Sequence, residues 1–434
     1  MVRKGFLLFI CFIAIKVCSQ KSMVLSWEIQ HPISKEWFPL GERGSVQEAL
    51  YQQGILPDPF YGENEKLYQW IEEHQWHLRS RFFLTEDMFN ATEVELDFPC
   101  IDTYASISIN KQNILEAENY FHPYQVEVRD KLVLGYNEIE AVFTPPVLYH
   151  KTTYENQSFH YPAPNDNAKI KAAPLTRKPQ YQFGWDWAPR LNTLGFPYPV
   201  VIEVKQENAL KHIVVNTLSI DEQASMQMVL VKEARHAAHR FQSLQFGWSV
   251  LNDSTAVQSI AFELESPILW WPKGEGGSYL YEDTLLVFNV NNELIERFPY
   301  TFGIRTVSLH QNTDEWGTSF SFEVNGKPIF MKGGDMIPPS MYGGKTSTKE
   351  WKDWVQLMVN SNFNMVRIWG GGDYATEDFL NECDRIGLMV WHDAMFACAM
   401  YPGDSMFLMN VKKELEYQLP RITAHPSVVY FNGN

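Results

Sequence analysis

Cysteine is scarce in this chain of 434 residues, which contains five. Cys11 and Cys18 fall within a predicted leader peptide, so Cys100, Cys383 and Cys398 remain. Three cysteines allow one disulfide at most and leave one odd thiol. The sequence therefore excludes a small scaffold held together by disulfides.

Positive charge and long apolar runs are also in short supply. The chain has 36 Lys and Arg residues against 52 Asp and Glu residues, a formal net charge of −16. This acidic balance argues against a nucleic-acid partner. After the leader, no apolar run approaches the ~20 residues that a transmembrane helix needs, so we expect no membrane span. A hydrophobic share of 45% predicts a folded protein, of two or three domains at ~150 residues per domain.

Residues 1–19 have the three parts of a secretory signal peptide. A basic pair, Arg3 and Lys4, precedes the apolar residues 5–15, and small residues then precede a cut at Gln20. We therefore expect a lysosomal or secreted protein. Three N-glycosylation sequons follow, at Asn90, Asn156 and Asn252.

Patterns typical of metal or phosphate sites are weak. Two histidine pairs have i, i+3 spacing with no third ligand apparent: His74 with His77, and His236 with His239. The glycine run at 370–372 lacks the Lys-Ser/Thr of a phosphate loop. Glu377 and Asp378 suit the first turn of a helix better than a catalytic pair. We expect neither a metal nor a cofactor.

Short strand patterns dominate the first two thirds of the chain. Residues 20–204 show strands at 105–109, 132–134 and 139–143 and a short helix at 64–73, which together predict a β-sandwich. A proline-rich stretch at 162–179 suits a functional loop. Residues 205–312 predict a second sandwich of immunoglobulin-like size. Its strands are expected at 226–231, 257–264, 284–290 and 301–309.

Residues 313–434 alternate between strand and helix patterns, which is typical of a parallel sheet. A hairpin at 324–331 is followed by a capping box at Ser347 and Glu350, which starts a helix. The apolar face of that helix is expected to hold Trp351, Trp354, Val355 and Met358. Further strands are predicted at 365–369, 388–391 and 428–431, with helices between them. Units of this size leave room for the first half of a (β/α)8 barrel.

Chemistry-bearing residues follow the predicted strands of this last region. In such barrels the functional residues sit at the carboxyl ends of the strands. Those ends carry Asp335, Arg367, Trp369, Asp393 and Asn434. Indole faces with charged and amide groups suit a sugar, whose C–H face packs on rings while its hydroxyls are hydrogen-bonded. The alternative is structural: Arg367 pairs with a barrel carboxylate and the tryptophans belong to the core.

Several motifs together resemble one enzyme family. They are Leu56-Pro-Asp-Pro-Phe-Tyr-Gly-Glu-Asn-Glu65, Phe183-Gly-Trp-Asp-Trp-Ala-Pro189, Trp270-Trp-Pro272, Phe302-Gly-Ile-Arg305, Val366-Arg-Ile-Trp-Gly-Gly-Gly372, Trp391-His-Asp-Ala-Met-Phe396 and His425-Pro-Ser-Val-Val-Tyr-Phe-Asn-Gly-Asn434. This set resembles the β-mannosidase branch of glycoside hydrolase family 2 over essentially the whole mature chain. The resemblance implies a jelly-roll sandwich at 20–204, an immunoglobulin-like sandwich at 205–312 and the N-terminal half of a TIM barrel at 313–434.

The resemblance also implies a retaining exo-glycosidase with a pair of Glu residues, an acid/base and a nucleophile. Both Glu positions are expected beyond Asn434, so no catalytic residue is assigned within residues 1–434. The polypeptide 1–434 is therefore predicted to be inactive by itself.

Substrate-binding residues can be carried over from the family. Trp185, Asp186 and Trp187 match a loop that reaches the barrel mouth and recognises the terminal β-mannose of an oligosaccharide. Arg367 and Trp369 match positions at the same sugar. The remaining matches, as direct contacts or as groups behind them, are Asp393, Asp404 and Asn434. The sequence departs from the family pattern at Asp335-Met336, His392 and Phe431.

Two other functions stay open from the sequence. One is a secreted glycan-binding protein without catalysis. The other is β-galactosidase or β-glucuronidase specificity on the same fold, which the Trp185-Asp186-Trp187 sequence disfavours.

Overall fold

The computed structural model describes residues 22–204, 210–232, 240–253 and 255–434. The predicted signal peptide at 1–19, together with His236 and His239, lies outside the described residues. Within the described ranges, no helix is both long and apolar enough to cross a bilayer.

The first domain is built from two main antiparallel sheets. Its strands are β1 Ser22–Val24, β2 Trp27–Gln30, β3 Trp37–Gly41, β4 Gly44–Ser45, β5 Trp76–Leu84, β6 Val94–Phe98, β7 Tyr104–Ile109, β8 Gln112–Ala117, β9 Tyr124–Glu127, β10 Gly135–Thr144, β11 Gly195–Phe196 and β12 Val201–Val204. Its helices are α1 Val46–Gln52, α2 Glu86–Phe89 and α3 Pro146–Asn156, with 3₁₀ helices at Asn64–Glu73, Arg129–Lys131, Ala173–Leu175 and Gln180–Phe183.

The sheets have the strand orders β3-β2-β5-β10-β7-β8 and β1-β12-β6-β9, and β11 pairs with β4. Burial alternates along β5 because successive side chains of a strand point to opposite faces. The inward side chains meet in one core of large aromatic and aliphatic residues that includes Trp27, Trp76, Phe98 and Phe196. This core fixes the scaffold on which the later loops are mounted.

Two predictions for this domain need correction. Residues 132–134 do not form a strand, because the Asn137 side chain bonds the Val133 N–H and the Val133 and Gly135 carbonyls and holds a turn there. The proline-rich stretch is irregular as expected, but its last part, 172–179, is almost entirely buried. The short helix predicted at 64–73 is confirmed, as a 3₁₀ helix.

The second unit consists of two facing groups of strands. They are β13 Leu210–Ile220, β14 Gln223–Lys232, β15 Arg240–Ser243, β16 Ser249–Leu251, β17 Val257–Glu265, β18 Tyr281–Phe288 and β19 Leu294–Phe302. The sheet orders are β13-β14-β17 and β16-β15-β18-β19, around a core that includes Met226, Phe241 and Phe302.

The predicted strand at 301–309 is divided in the structure. β19 ends at Phe302 and the next strand, β20, begins at Val307. Between them Gly303 packs so closely on Trp270 and Pro426 that an added Cβ would lie 2.8 Å from the Pro426 ring. The predicted strand is therefore interrupted where the chain leaves the second unit and enters the last one.

The last unit contains two hairpin arrangements and a parallel sheet. Its strands are β20 Val307–His310, β21 Thr313–Asp314, β22 Gly317–Thr318, β23 Ser321–Val324, β24 Lys327–Ile329, β25 Gly333–Met336, β26 Met365–Ile368, β27 Met389–Asp393 and β28 Val428–Asn432. Its helices are α4 Thr348–Asn360, α5 Glu377–Ile386 and α6 Ser405–Thr423. β25 to β28 pair in chain order, all parallel, and the three helices lie between successive strands.

The ends of the helices follow local chemistry. Ser347 and Glu350 form the predicted capping box at the start of α4, and Gly387 ends α5 with a φ of 84°. The face of α4 is shifted from the prediction: Trp354 is 41% exposed, while Val355 and Val359 are buried.

The three cysteines of the described chain, Cys100, Cys383 and Cys398, are all free. Cys100 and Cys383 are buried, and Cys398 is exposed. Burial raises the pKa of both buried thiols well above the usual value. Both are therefore held as neutral thiols in the core.

Candidate sugar-binding site

A tight hairpin presents Asp186 and Trp187 at its tip. The Trp185 N–H donates to the Ala188 carbonyl at 3.2 Å, and the Ala188 N–H donates back at 3.3 Å. Gly184 enters the turn at a φ of 105°, which a residue with a Cβ adopts only with strain. Asp186 and Trp187 are exposed as a result, and Trp187 retains 37% of its surface.

The residues that precede the hairpin are hydrogen-bonded to the unit that contains the parallel sheet. The Tyr181 N–H donates to the Gly371 carbonyl at 3.0 Å, and the Tyr181 hydroxyl donates to the Ser340 carbonyl at 3.2 Å. Gly371 follows β26 and Ser340 follows β25. Because the backbone and the side chain of Tyr181 both bond to backbone carbonyls across the domain boundary, the hairpin is held near the carboxyl ends of the strands.

Three tryptophans meet at this boundary. The Trp369 ring lies 4.7 Å from Trp185 and 5.9 Å from Trp187, edge-on in both pairs. Tyr181 stacks on Trp187 at 5.5 Å. The aromatic residues predicted from two distant motifs therefore form one cluster, which includes both tryptophans that flank Asp186 in the sequence.

Arg367, near the end of β26, is oriented by Asp393. Its Nη2 lies 2.7 Å from Asp393 Oδ2, and its Nε lies 3.1 Å from the same oxygen. Asp393 is fully buried and also accepts from the Gly370 N–H and from the Trp391 indole. The hydrogen bond to Asp393 raises the pKa of the Arg367 guanidinium, which remains one-third exposed. The structural alternative for Arg367, pairing with a carboxylate of the parallel sheet, is therefore present in the structure.

Two other residues predicted to contact the sugar, Asp404 and Asn434, lie in different parts of the last unit. Asp404 caps α6, its Oδ1 accepting from the Met406 and Phe407 N–H groups at 3.0 Å each. Asn434 is near the cluster: its amide donates to the Phe396 carbonyl and lies against Gly370. The structure thus brings Asn434 to the edge where Trp369 and Arg367 lie, and it uses Asp404 as a helix cap.

The residues that depart from the family pattern have defined contacts in the structure. His392 is buried, accepts from the Ala375 N–H at Nε2 and contacts the Asp393 carbonyl through Nδ1 at 2.8 Å. Burial lowers the pKa of His392 to about 3, so the ring is neutral. Phe431 stacks on it at 5.6 Å. Asp335 is exposed and lies 3.8 Å from Arg367.

Several residues that organise this region were not predicted. Arg190 follows the hairpin and pairs with Glu72, and Arg177 pairs with Glu414 across the domain boundary. Glu414 and Gln418 are buried on α6. Charged or amide residues at i, i+4 on an otherwise apolar helix face are the signal that could have identified the last two.

A cavity of about 320 Å³ is adjacent to the cluster. It lies between the first domain and the loops after β25 and β26. Of the eight predicted substrate-binding residues, only Trp369 lines it. The exposed hairpin and Arg367 therefore form an open surface rather than part of this cavity.

The three sequons differ in accessibility. Asn90 and Asn156 are exposed. Asn252 is half-buried, and its side-chain oxygen accepts from Lys232 Nζ. Accessibility therefore supports the predicted glycosylation at Asn90 and Asn156 more than at Asn252. Among the described residues, no cluster of His, Cys, Asp and Glu is suited to hold a metal ion.

Comparison with known proteins gives a consistent family. Residues 27–197 match the glycosyl hydrolase 2 galactose-binding domain-like model. The chain is 33% identical to a β-mannosidase B of Thermothelomyces thermophilus over 90% of this chain and 46% of that protein. It is 30% identical to a β-mannosidase of Capra hircus over 94% of this chain and 49% of that protein. The chain thus spans about half the length of the curated relatives that it matches.

Solved structures extend the comparison. A β-D-mannosidase from Dictyoglomus thermophilum superposes with a TM-score of 0.87 at 31% identity, over 95% of this chain and 52% of that one. The exo-chitosanase CsxA of Amycolatopsis orientalis shares the fold at 17% identity and a TM-score of 0.68. Over about half of their length, the chain is therefore similar to β-mannosidases, and its residues 27–197 match a glycoside hydrolase family 2 domain.

Proposed function

We propose that the chain provides the sugar-recognition part of an exo-acting, retaining β-mannosidase. The substrate is a terminal, non-reducing β-D-mannose on an oligosaccharide such as an N-glycan remnant. The observation that supports the proposal is the Trp185–Ala188 hairpin, which carries Asp186 at its tip while Trp185 and Trp187 contact Trp369. The β-mannosidase relatives support the same substrate class.

Each side chain has a role in this proposal. The indole rings of Trp187 and Trp369 pack against the C–H face of the mannose. The Asp186 carboxylate accepts hydrogen bonds from sugar hydroxyls, and the Arg367 guanidinium donates to a hydroxyl or ring oxygen. Asp393 keeps the guanidinium in place. Asn434 adds an amide at the same edge.

The catalytic step requires two Glu residues whose carboxyl groups lie ~5–5.5 Å apart. By resemblance, neither is matched within residues 1–434. We therefore propose that the polypeptide 1–434 binds mannosides without hydrolysing them. The same resemblance assigns 20–204 to a jelly-roll sandwich, 205–312 to an immunoglobulin-like sandwich and 313–434 to the first half of a TIM barrel.

The test uses the full-length protein expressed from its natural transcript. It should release nitrophenol from an aryl β-mannoside far faster than from the β-galactoside or the β-glucuronide. Proton NMR of the first product formed should show retention of the β configuration. Preference for either other sugar, or binding of mannose without any hydrolysis by the full-length protein, would contradict the proposal. Release of nitrophenol by purified 1–434 would contradict the proposed inactivity.

We also propose entry into the secretory route, toward the lysosome or the extracellular space. The predicted signal peptide and the exposed sequons at Asn90 and Asn156 support it. Protein from the native host should begin at Gln20 and lose mass on treatment with an N-glycosidase. An unprocessed N-terminus would contradict this route.

A further inference from the structure

We infer that the cavity behind the aromatic cluster is a second, non-catalytic sugar site that takes one uncharged hexopyranosyl unit. This inference does not depend on the proposed hydrolysis, because sugar binding in the cavity is measured without any catalytic activity. Its volume of about 320 Å³ is at the lower end of the ~300–1000 Å³ typical of small-molecule sites, which suits one sugar ring.

The cavity is built between two parts of the fold. One wall consists of Tyr181 and Tyr198 from the first domain. The other walls are the loop after β25, residues 337–346, and the segment from Trp369 into α5. Because both sides are tied together by the Tyr181 hydrogen bonds, the space is a fixed crevice rather than a surface groove.

The lining is aromatic and free of basic groups. Tyr181, Tyr198, Tyr342, Trp351 and Trp369 all contribute to it, and no Lys, Arg or His occurs among the described lining residues. Flat rings without cations favour the C–H face of a pyranose and disfavour phosphate, sulfate or uronic acid ligands. The ligand class is therefore a neutral sugar rather than an anion.

Asp373 supplies the polar contact. Its Oδ2 accepts from the Tyr120 hydroxyl at 2.9 Å, and its Oδ1 accepts from the Tyr374 N–H at 2.8 Å. A carboxylate has about four acceptor positions, so two remain for sugar hydroxyls. Burial raises the pKa of Asp373 to about 6, and the carboxyl can accept or donate near neutral pH.

The other two lining carboxylates are already engaged. Glu377 is bonded to Arg421 and His425, and Asp378 accepts from the Thr348 hydroxyl at 2.7 Å. Within the described residues, Asp373 and Asp378 are therefore bonded to neutral donors, whereas Glu377 is paired with cations. A carboxylate bonded to neutral donors among rings matches a polyhydroxy ligand better than a strongly hydrated cation.

The two sugar sites share a wall. Trp369 and Tyr181 line the cavity, and the same two rings contact Trp185 and Trp187 of the hairpin. A sugar in the cavity would therefore rest against the rings that support the exposed site. Its binding should change tryptophan fluorescence.

Equilibrium dialysis of the full-length protein against labelled D-mannose, which has no glycosidic bond to hydrolyse, tests the inference. We expect two sugars bound per chain. Asp373→Asn should weaken one of them at least tenfold and leave the other unchanged, whereas Asp186→Asn should do the reverse. Asp353→Asn, an exposed carboxylate on α4 paired with Lys349, is the matched control and should keep both.

One sugar per wild-type chain would overturn the inference, and this count needs no variant to fold. Two sugars with Asp373→Asn unaffected would also overturn it. Tighter binding of D-mannosamine, which carries an ammonium group, would overturn the assignment to an uncharged ligand.

Discussion

Arg190 and Glu72 form a two-pronged ion pair directly beneath the Trp185–Ala188 hairpin. Arg190 Nη1 contacts Glu72 Oε1, and Nη2 lies 3.0 Å from Oε2. Gln69 completes the clamp, accepting from Nη1 at 2.7 Å and donating to the Arg190 carbonyl at 2.9 Å. Burial alone would lower the pKa of Arg190, but the Glu72 and Asp166 carboxylates raise it. The exit of the hairpin is thus held by side chain and backbone together.

The first prediction concerns this clamp. Glu72→Gln should destabilise the protein by about 3 kcal/mol, because among the described residues it leaves a largely buried guanidinium with Asp166, at 3.7 Å, as its remaining charged partner. In the folded full-length enzyme the looser hairpin should raise KM for an aryl β-mannoside several-fold more than it lowers kcat. Denaturant unfolding and steady-state kinetics on one preparation measure both.

The control for the clamp is Glu138→Gln. Its partner Arg81 is exposed, and such pairs contribute less than ~1 kcal/mol. Neither stability nor KM should change noticeably in this variant. An unchanged KM in Glu72→Gln, with the stability loss present, would show that the clamp supports the fold without positioning the hairpin.

The second prediction concerns Asp186 itself. A hydrogen bond to a charged group contributes ~1.5–3 kcal/mol, so Asp186→Ala should lower kcat/KM roughly ten- to several-hundred-fold. Its melting temperature should stay near that of the wild type, because Asp186 is exposed at the hairpin tip. A structural pairing with Arg190 is disfavoured, since that guanidinium is directed at Glu72. Wild-type kcat/KM in the mutant would remove Asp186 from the site.

Elements with local causes could be predicted from the sequence. The start of α4 at Ser347, the end of α5 at Gly387 and the turn at Asn325-Gly326 each depend on residues within one turn of the chain. The motif residues at the sheet edge were also found, since strand ends in a parallel sheet meet. These features need no knowledge of the tertiary structure.

Features that depend on distant contacts could not be predicted. Arg177 and Glu414 are 237 residues apart, and nothing local in either segment indicates the pairing. Trp354 was expected inside because its spacing fits an apolar face, yet it is exposed, and Val359 is buried together with the predicted Val355. Residues 132–134 have strand propensity, but the side-chain bonds of Asn137 outcompete a ladder there.

The third prediction tests the buried pair between the first domain and α6. Arg177 Nε and Nη2 lie 2.9 and 2.7 Å from the Glu414 carboxylate, which also accepts from the Tyr374 hydroxyl. The guanidinium lies 4.3 Å from the Phe396 ring centre. Glu414→Gln should destabilise the protein by ~3–5 kcal/mol, because the arginine charge is left buried and unpaired.

Removing both charges should cost less than removing one. The double variant Arg177→Met with Glu414→Leu takes the charges out together and should recover much of the lost stability. Thermal unfolding of the single and double variants gives the comparison. A double variant less stable than Glu414→Gln would mean that the pair is net stabilising by itself.

The fourth prediction follows from His425, which lies between two carboxylates. Nδ1 is 2.6 Å from Asp384 Oδ2, and Nε2 is 3.1 Å from Glu377 Oε2. Burial would lower the pKa of His425, but the two carboxylates raise it to about 9. Burial would likewise raise the pKa of Glu377, but bonds from His425 and Arg421 lower it to about 2.

The sign of the pH dependence follows from these directions. The imidazolium of His425 stabilises the fold fully below its unfolded pKa of ~6.5, and this contribution is lost as the pH rises through about 9. Glu377 stabilises fully above ~4.5, and its contribution is lost as the pH falls toward 2. Both contributions are therefore complete between about pH 5 and 6.

Wild-type stability should fall by up to ~3 kcal/mol more than that of His425→Gln between pH 6 and 10. Urea unfolding of both proteins across this range measures the difference, with the exposed His77→Gln as the control expected to follow the wild type. Parallel curves for wild type and His425→Gln would show that the ring is neutral in the native protein.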